Sequence, residues 1–68
     1  MDSHEFNAII NNCGFSVPVI ARLLNIKPRT ISRFRNGTMD IPEGVAEDLL
    51  RLEAAVISAL VSNRGNGA

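Results

Sequence analysis

Residues 16–37 read Ser16-Val-Pro-Val-Ile-Ala-Arg-Leu-Leu-Asn25-Ile-Lys-Pro-Arg-Thr-Ile-Ser-Arg-Phe-Arg-Asn-Gly37. This stretch contains two helical patterns, each with its own start and stop. Ser16 is a good N-cap, and Pro18 is tolerated in a first turn, where a missing N–H is no loss. Ile20, Ala21 and Leu24 then face inward. Asn25 tolerates the left-handed conformation that stops a helix. Pro28 starts the second helix at or near its first position. Ile31 and Phe34 form its inner stripe, and Asn36-Gly37 ends it. The turn between them is too short for a strand, so the arrangement is a helix-turn-helix, with arginines on one face of the second helix.

Outward from this unit the pattern stays helical. Phe6, Ile9, Ile10 and Cys13 follow i, i+3, i+4, i+7 spacing and predict a helix from Asp2. Asp2 and Glu5 fit a capping box, with Ser3 as a competing cap. Asn11, Asn12 and Gly14 mark the helix end. After Gly37, Pro42 opens another start signal, with Asp40 as its cap. Val45, Leu49, Leu52, Val56 and Leu60 form one apolar stripe on the segment that follows; Leu50, Ile57 and Val61 form a second. A single packed face needs only about three apolar positions per heptad. One long helix, or two abutting ones, is expected from about Pro42 to about Ser62. The expected architecture is all-α, with four or five helices and no strand. Residues 1–62 read as one domain, and the polar, glycine-rich residues 63–68 as a flexible tail.

Sixty-eight residues leave no room for a second core. An apolar fraction of 46% argues against disorder. The single cysteine cannot form an internal disulfide, and no Cys/His cluster has metal-ligand spacing. Among Ile9, Ile10 and Phe15, Cys13 reads as a small buried hydrophobe rather than a reactive thiol. No apolar run reaches the ~18 residues of a membrane span. The start Met-Asp-Ser-His-Glu lacks the basic and apolar regions of a signal peptide, which predicts a cytoplasmic protein.

Formal net charge is zero, yet the charges are segregated. Between Phe6 and Met39 there is no carboxylate, and five of the seven basic residues (Arg22, Lys27, Arg29, Arg33 and Arg35) fall in that window. A solvated helix normally mixes signs to gain i,i+4 pairs. A local positive surface attracts phosphates whatever the global sum.

A helix lying in the major groove presents its first turns to base edges. With Ile31 and Phe34 turned inward, the base-reading candidates are Arg29, Thr30 and Arg33, with Ser32 as a further one. Arg29 and Arg33 share a face, and each can grip a guanine through O6 and N7, or touch only phosphate. Thr30 suits a thymine methyl or a phosphate. Lys27, Arg35, Asn36 and Thr38 bracket the helix as phosphate-clamp candidates. Ser16 is either a clamp or only an N-cap, and Arg22 either reaches the flanking backbone or is simply solvated.

His4 has no partner cluster for a triad or metal site. Asp40 and Glu43 suit a helix start, and Glu47 with Arg51 is an i,i+4 pair. No enzyme, metal, cofactor or small-molecule ligand is expected.

Ile20-Ala21, the turn at Asn25-Ile26, Ile31-Ser32 and the Asn36-Gly37 exit resemble the Cro/phage-repressor (XRE-type) helix-turn-helix family over about Glu5 to Leu52. Ala21 stands at the family's small position, where the second helix approaches closely, and Ile31 at its locking apolar position. Ile41-Pro42 with Val45 and Ala46 resembles its next helix. The chain departs from the family pattern at Val17 and Val19, which are often polar, at Leu23, often charged, and in the acidic loop at Asp40 and Glu43. The resemblance implies a lambda-repressor-like fold and a stand-alone transcriptional repressor of phage or mobile-element type, Cro-like or anti-CRISPR-associated, with control of its own operon as one option.

Surplus apolar surface on the last helix predicts a homodimer through Leu52, Val56, Ile57 and Leu60, with Val45 and Leu49 completing the protomer's own core. Two recognition helices about 34 Å apart would then bind an inverted repeat in double-stranded DNA. Two other readings fit the same sequence. An antitoxin would hold a toxin through its last helix or tail; a protein-interaction module would keep the fold without binding DNA.

Overall fold

Four helices follow one another along the chain: α1 (Ser3–Cys13), α2 (Val17–Leu24), α3 (Pro28–Asn36) and α4 (Glu43–Asn66). The structure is a computed structural model that describes the backbone of residues 1–66 and the side chains of residues 1–61. The described residues are all-α, as the periodicity predicts, and contain no strand.

The helix ends follow local chemistry. Asp2 is the N-cap of α1, and its Oδ1 accepts from the Glu5 N–H at 2.8 Å. That contact satisfies one of the orphan donors of a helix start and decides between Asp2 and Ser3. Gly14, with φ of 78°, takes the left-handed position that ends α1. Ser16 is the N-cap of α2 by backbone conformation, but its side chain makes no capping bond. At α4 the expected cap shifts. The Pro42 carbonyl accepts from the Ala46 N–H at 3.0 Å, which makes Pro42 the half-in residue and leaves Asp40 too far back to cap. α4 also continues to Asn66, beyond the expected end near Ser62. Once a helix is nucleated, each added residue gains a bond, so weak helix formers extend it cheaply. Residues 67–68 of the expected tail lie outside the described residues.

Phe6, Ile9, Ile10 and Cys13 of α1 meet Ile20 and Ala21 of α2, Ile31 and Phe34 of α3, and Leu49 of α4 in one core. Phe6 and Phe34 meet edge to face, ring centroids 5.6 Å apart. Such a pair adds roughly 0.5–1.5 kcal/mol beyond the area it buries. Val45 and Leu52 pack against this core from α4, so Leu52 serves its own protomer first.

α1 lies alongside the first half of α4. At one end Met1 and Ser3 line a cleft with Met39 and Ile41. At the other the Asn12 amide donates to the Glu53 carboxylate at 3.4 Å. From Ala54 onward α4 runs past the end of α1, and the molecule measures 45 × 20 × 18 Å. This overhang explains why Ile57, Leu60 and Val61 are 54%, 62% and 63% exposed. The Arg51 guanidinium pairs with Asp48 at 3.1 Å and Glu47 at 3.9 Å on the solvated side, where such pairs contribute little. No helix among the described residues is long and apolar enough to cross a membrane.

Cys13 is buried, and burial first, then the Glu53 carboxylate, pushes its thiol up from the ordinary value. We expect alkylation of the native protein to be much slower than of the urea-unfolded chain; equal rates would contradict the burial. Because the folded value lies above the unfolded one, the associated stability is complete below the unfolded pKa. It is lost as pH rises through the folded pKa, a loss that Cys13→Ala should abolish in alkaline melts.

Replacing Phe34 by Ala should cost about 3–5 kcal/mol, comparable to the entire stability of so small a domain. Urea titration followed by circular dichroism measures it, and a loss below about 1 kcal/mol would contradict the packing described.

Candidate nucleic-acid interface

The turn between α2 and α3 is built almost entirely from backbone. Asn25 sits at φ 58° and ψ 43°. Its N–H reaches the Arg22 carbonyl at 3.2 Å, and the Ile26 N–H reaches the Ala21 carbonyl at 2.9 Å. This is the Schellman pattern. It turns the Ile26 side chain onto the core. The Lys27 carbonyl then accepts from Thr30 and Ile31 at 2.9 and 3.2 Å, so α3 starts immediately. The same device closes α3: Gly37, at φ 76°, donates to Phe34 at 3.3 Å, and Thr38 to Arg33 at 3.1 Å. Ala21, 2% exposed, offers α3 a side chain small enough for close approach.

With Ile31 and Phe34 buried, helical geometry sets the opposite face. At 100° per residue, Arg29, Ser32, Arg33 and Asn36 fall on one outward stripe, at i, i+3, i+4 and i+7. All four are exposed. Thr30 and Arg35 lie on the two flanks and are half-buried. Ser32 is therefore more central than Thr30, and Asn36 shares the stripe expected to read bases rather than standing beside it.

Arg22, Lys27, Arg29 and Arg33 are exposed. Among the described residues, every ion pair belongs to Arg51 and none to these four. Their positive charge faces water uncompensated. No acidic residue occupies the first turn of α2 or α3, and neither helix start has a side-chain cap. Pro18 and Pro28 carry no N–H, and Thr30 and Ile31 already donate to Lys27. The open first-turn donors are therefore those of Val17 and Val19 in α2 and Arg29 in α3, at the positive ends of the helix dipoles.

Two phosphate-clamp candidates have structural partners. The Thr38 hydroxyl donates to the Arg33 carbonyl at 3.2 Å. A hydroxyl has one proton, so in this rotamer Thr38 ties off α3 and has none left for an anion. Arg35 is held through its Nε, which donates to the Asn7 Oδ1 at 2.8 Å; the Asn7 Nδ2 donates back to the Arg35 carbonyl at 3.2 Å. Asn7 is absent from the sequence-derived candidates. A polar residue on α1 beside Phe6 carries no signal of a bond formed 28 positions away.

The described residues contain no cluster of three His, Cys, Asp or Glu side chains suited to a metal. Compared with known proteins, the chain matches no family model, no curated protein and no solved structure.

Proposed function

We propose that this chain is a cytoplasmic, sequence-specific DNA-binding transcriptional regulator, acting as a homodimeric repressor of the Cro/phage-repressor type. The observation that carries the reading is the outward stripe of α3. Arg29, Ser32, Arg33 and Asn36 are exposed together on a helix nine residues long, with no carboxylate between Phe6 and Met39. Arg29 and Arg33 are one turn apart and match the bidentate donor geometry that guanine O6 and N7 accept. Lys27, Arg22 and the open N–H groups at the starts of α2 and α3 suit the phosphates on either side.

Homodimerisation is supported by α4. Leu50, Ala54, Ile57 and Val61 recur at alternating spacings of four and three, and all are exposed. That is the seam spacing of two helices packed on each other. Ile57 and Leu60 from the expected interface are exposed, whereas Leu52 and Val56 are half-buried. Leu50 and Val61 join the seam in the place of Leu52. One recognition helix supplies too little energy for a unique genomic site, so a two-fold pair on an inverted repeat is the economical arrangement. Occupancy of such a site blocks polymerase without any further surface on the protein.

Selection from a randomised duplex pool should return a two-fold symmetric site. Arg29→Ala and Arg33→Ala should each weaken binding to it by about 1–3 kcal/mol and relax one base position per half-site. Unchanged base preference would rule out direct readout by these arginines. Lys27→Ala should weaken all duplexes alike and flatten the salt dependence by roughly one ion.

Ile57→Glu places a charge in the seam and should shift sedimentation toward the protomer mass. An unaltered profile would place the interface elsewhere.

A further inference from the structure

We propose that Asn7, on α1, is a positioning residue that aims Arg35 at a DNA phosphodiester, making a phosphate subsite shared by α1 and α3; this inference rests on the DNA-binding reading above. Arginine offers five N–H donors in a planar fork. Here the Asn7 Oδ1 occupies only the Nε–H, at 2.8 Å. The two terminal amino groups make no bond among the described residues, and no buried side-chain nitrogen there is left without a partner. They therefore face solvent.

Asn7, Ser32, Arg35 and Asn36 line one open cleft. Its wall toward α3 is i, i+3, i+4, so these side chains stand side by side. Ser32 and Asn36 form the rim where the cleft borders the base-facing stripe, and no carboxylate lines the cleft to compete for the guanidinium. A tetrahedral oxyanion with one negative charge suits such a cleft.

The flank position also fits. When the central stripe of a helix faces base edges, its two flanks face the sugar-phosphate walls of the groove. Arg35 lies on the flank turned toward α1. A loose arginine there would lose rotamer freedom on binding; one already held at Nε loses less. Asn7 thereby converts a long, mobile cation into a fixed one.

Asn7 also has a purely structural contact, its Nδ2 with the Arg35 backbone carbonyl at 3.2 Å. That contact survives Arg35→Ala, because the carbonyl remains, whereas the Nε contact does not. A double-mutant cycle on full-length protein, with affinity for the selected duplex measured across a salt series, separates the two. Arg35→Ala should weaken binding about tenfold and lower the slope of log K against log salt by about 0.9. Asn7→Ala should weaken wild-type binding severalfold and have no effect in the Arg35→Ala background.

Equal weakening by Asn7→Ala in both backgrounds would overturn the positioning role and leave only the structural one. Normal affinity and slope for Arg35→Ala, while Arg29→Ala and Arg33→Ala still weaken binding, would overturn the subsite and spare the DNA-binding reading. Absence of duplex binding by the unaltered protein would overturn both. Arg35→Lys keeps the charge without the Nε–H and provides an independent arm. The proposal requires that Asn7→Ala change nothing there as well, and a severalfold loss in that background would overturn it. Circular dichroism melts confirm that each variant is folded.

Discussion

The edge-to-face contact of Phe6 with Phe34 is the constraint on which the other surfaces depend. It pins the inner side of α3 to α1, and Ile31 completes the attachment beside Ile20 and Leu49. A helix of nine residues is too short to be stable in water by its own propensity. Its position and even its existence come from that apolar attachment. Once the inner side is fixed, helical geometry leaves no choice about the outer one. Arg29 and Arg33 are exposed because Ile31 and Phe34 are buried.

The two motif helices share the core through Ile20, Ala21, Ile31 and Phe34, while backbone bonds shape the ends of each. Asn25 and Gly37 close α2 and α3 with the same pair of carbonyl contacts. The turn therefore has a defined shape while the side chains around it remain available. Lys27 contributes only its carbonyl to the start of α3, and its ammonium is not consumed by folding. This separation of structural backbone from unengaged side chains gives the proposed interface its charge density without a network of internal ion pairs to disrupt.

Much of this was legible in the residues. The apolar positions Phe6, Ile9, Ile10, Ile20, Ala21, Ile31, Phe34 and Leu49 all bury, because helical period is a strong signal when the stripe is clean. Helix stops at Gly14, Asn25 and Gly37 follow from the few residues that accept positive φ. Three features were not legible. The pairing of Asn7 with Arg35 depends on the crossing of α1 and α3, which no local pattern encodes. In sequence Thr38 reads as a hydroxyl free to donate to a phosphate, but its proton goes to a carbonyl that is near it because α3 ends where it does. The division of α4 into a packed half and an overhang depends on where α1 ends. Leu52 and Leu60 thus look equivalent in sequence yet differ in surroundings.

The empty capping positions of α2 and α3 carry a thermodynamic implication. An oxygen-bearing side chain at a helix start typically stabilises a protein by about 1 kcal/mol. The Ser16 hydroxyl makes no such bond, and Lys27 has no oxygen to offer. An aspartate in the place of Lys27 would strengthen the fold and, in the same stroke, put a negative charge of the protein's own where the proposal seats a phosphate. The domain is thus poised below its attainable melting temperature, and the shortfall sits at the mouth of the helix that bears the arginines.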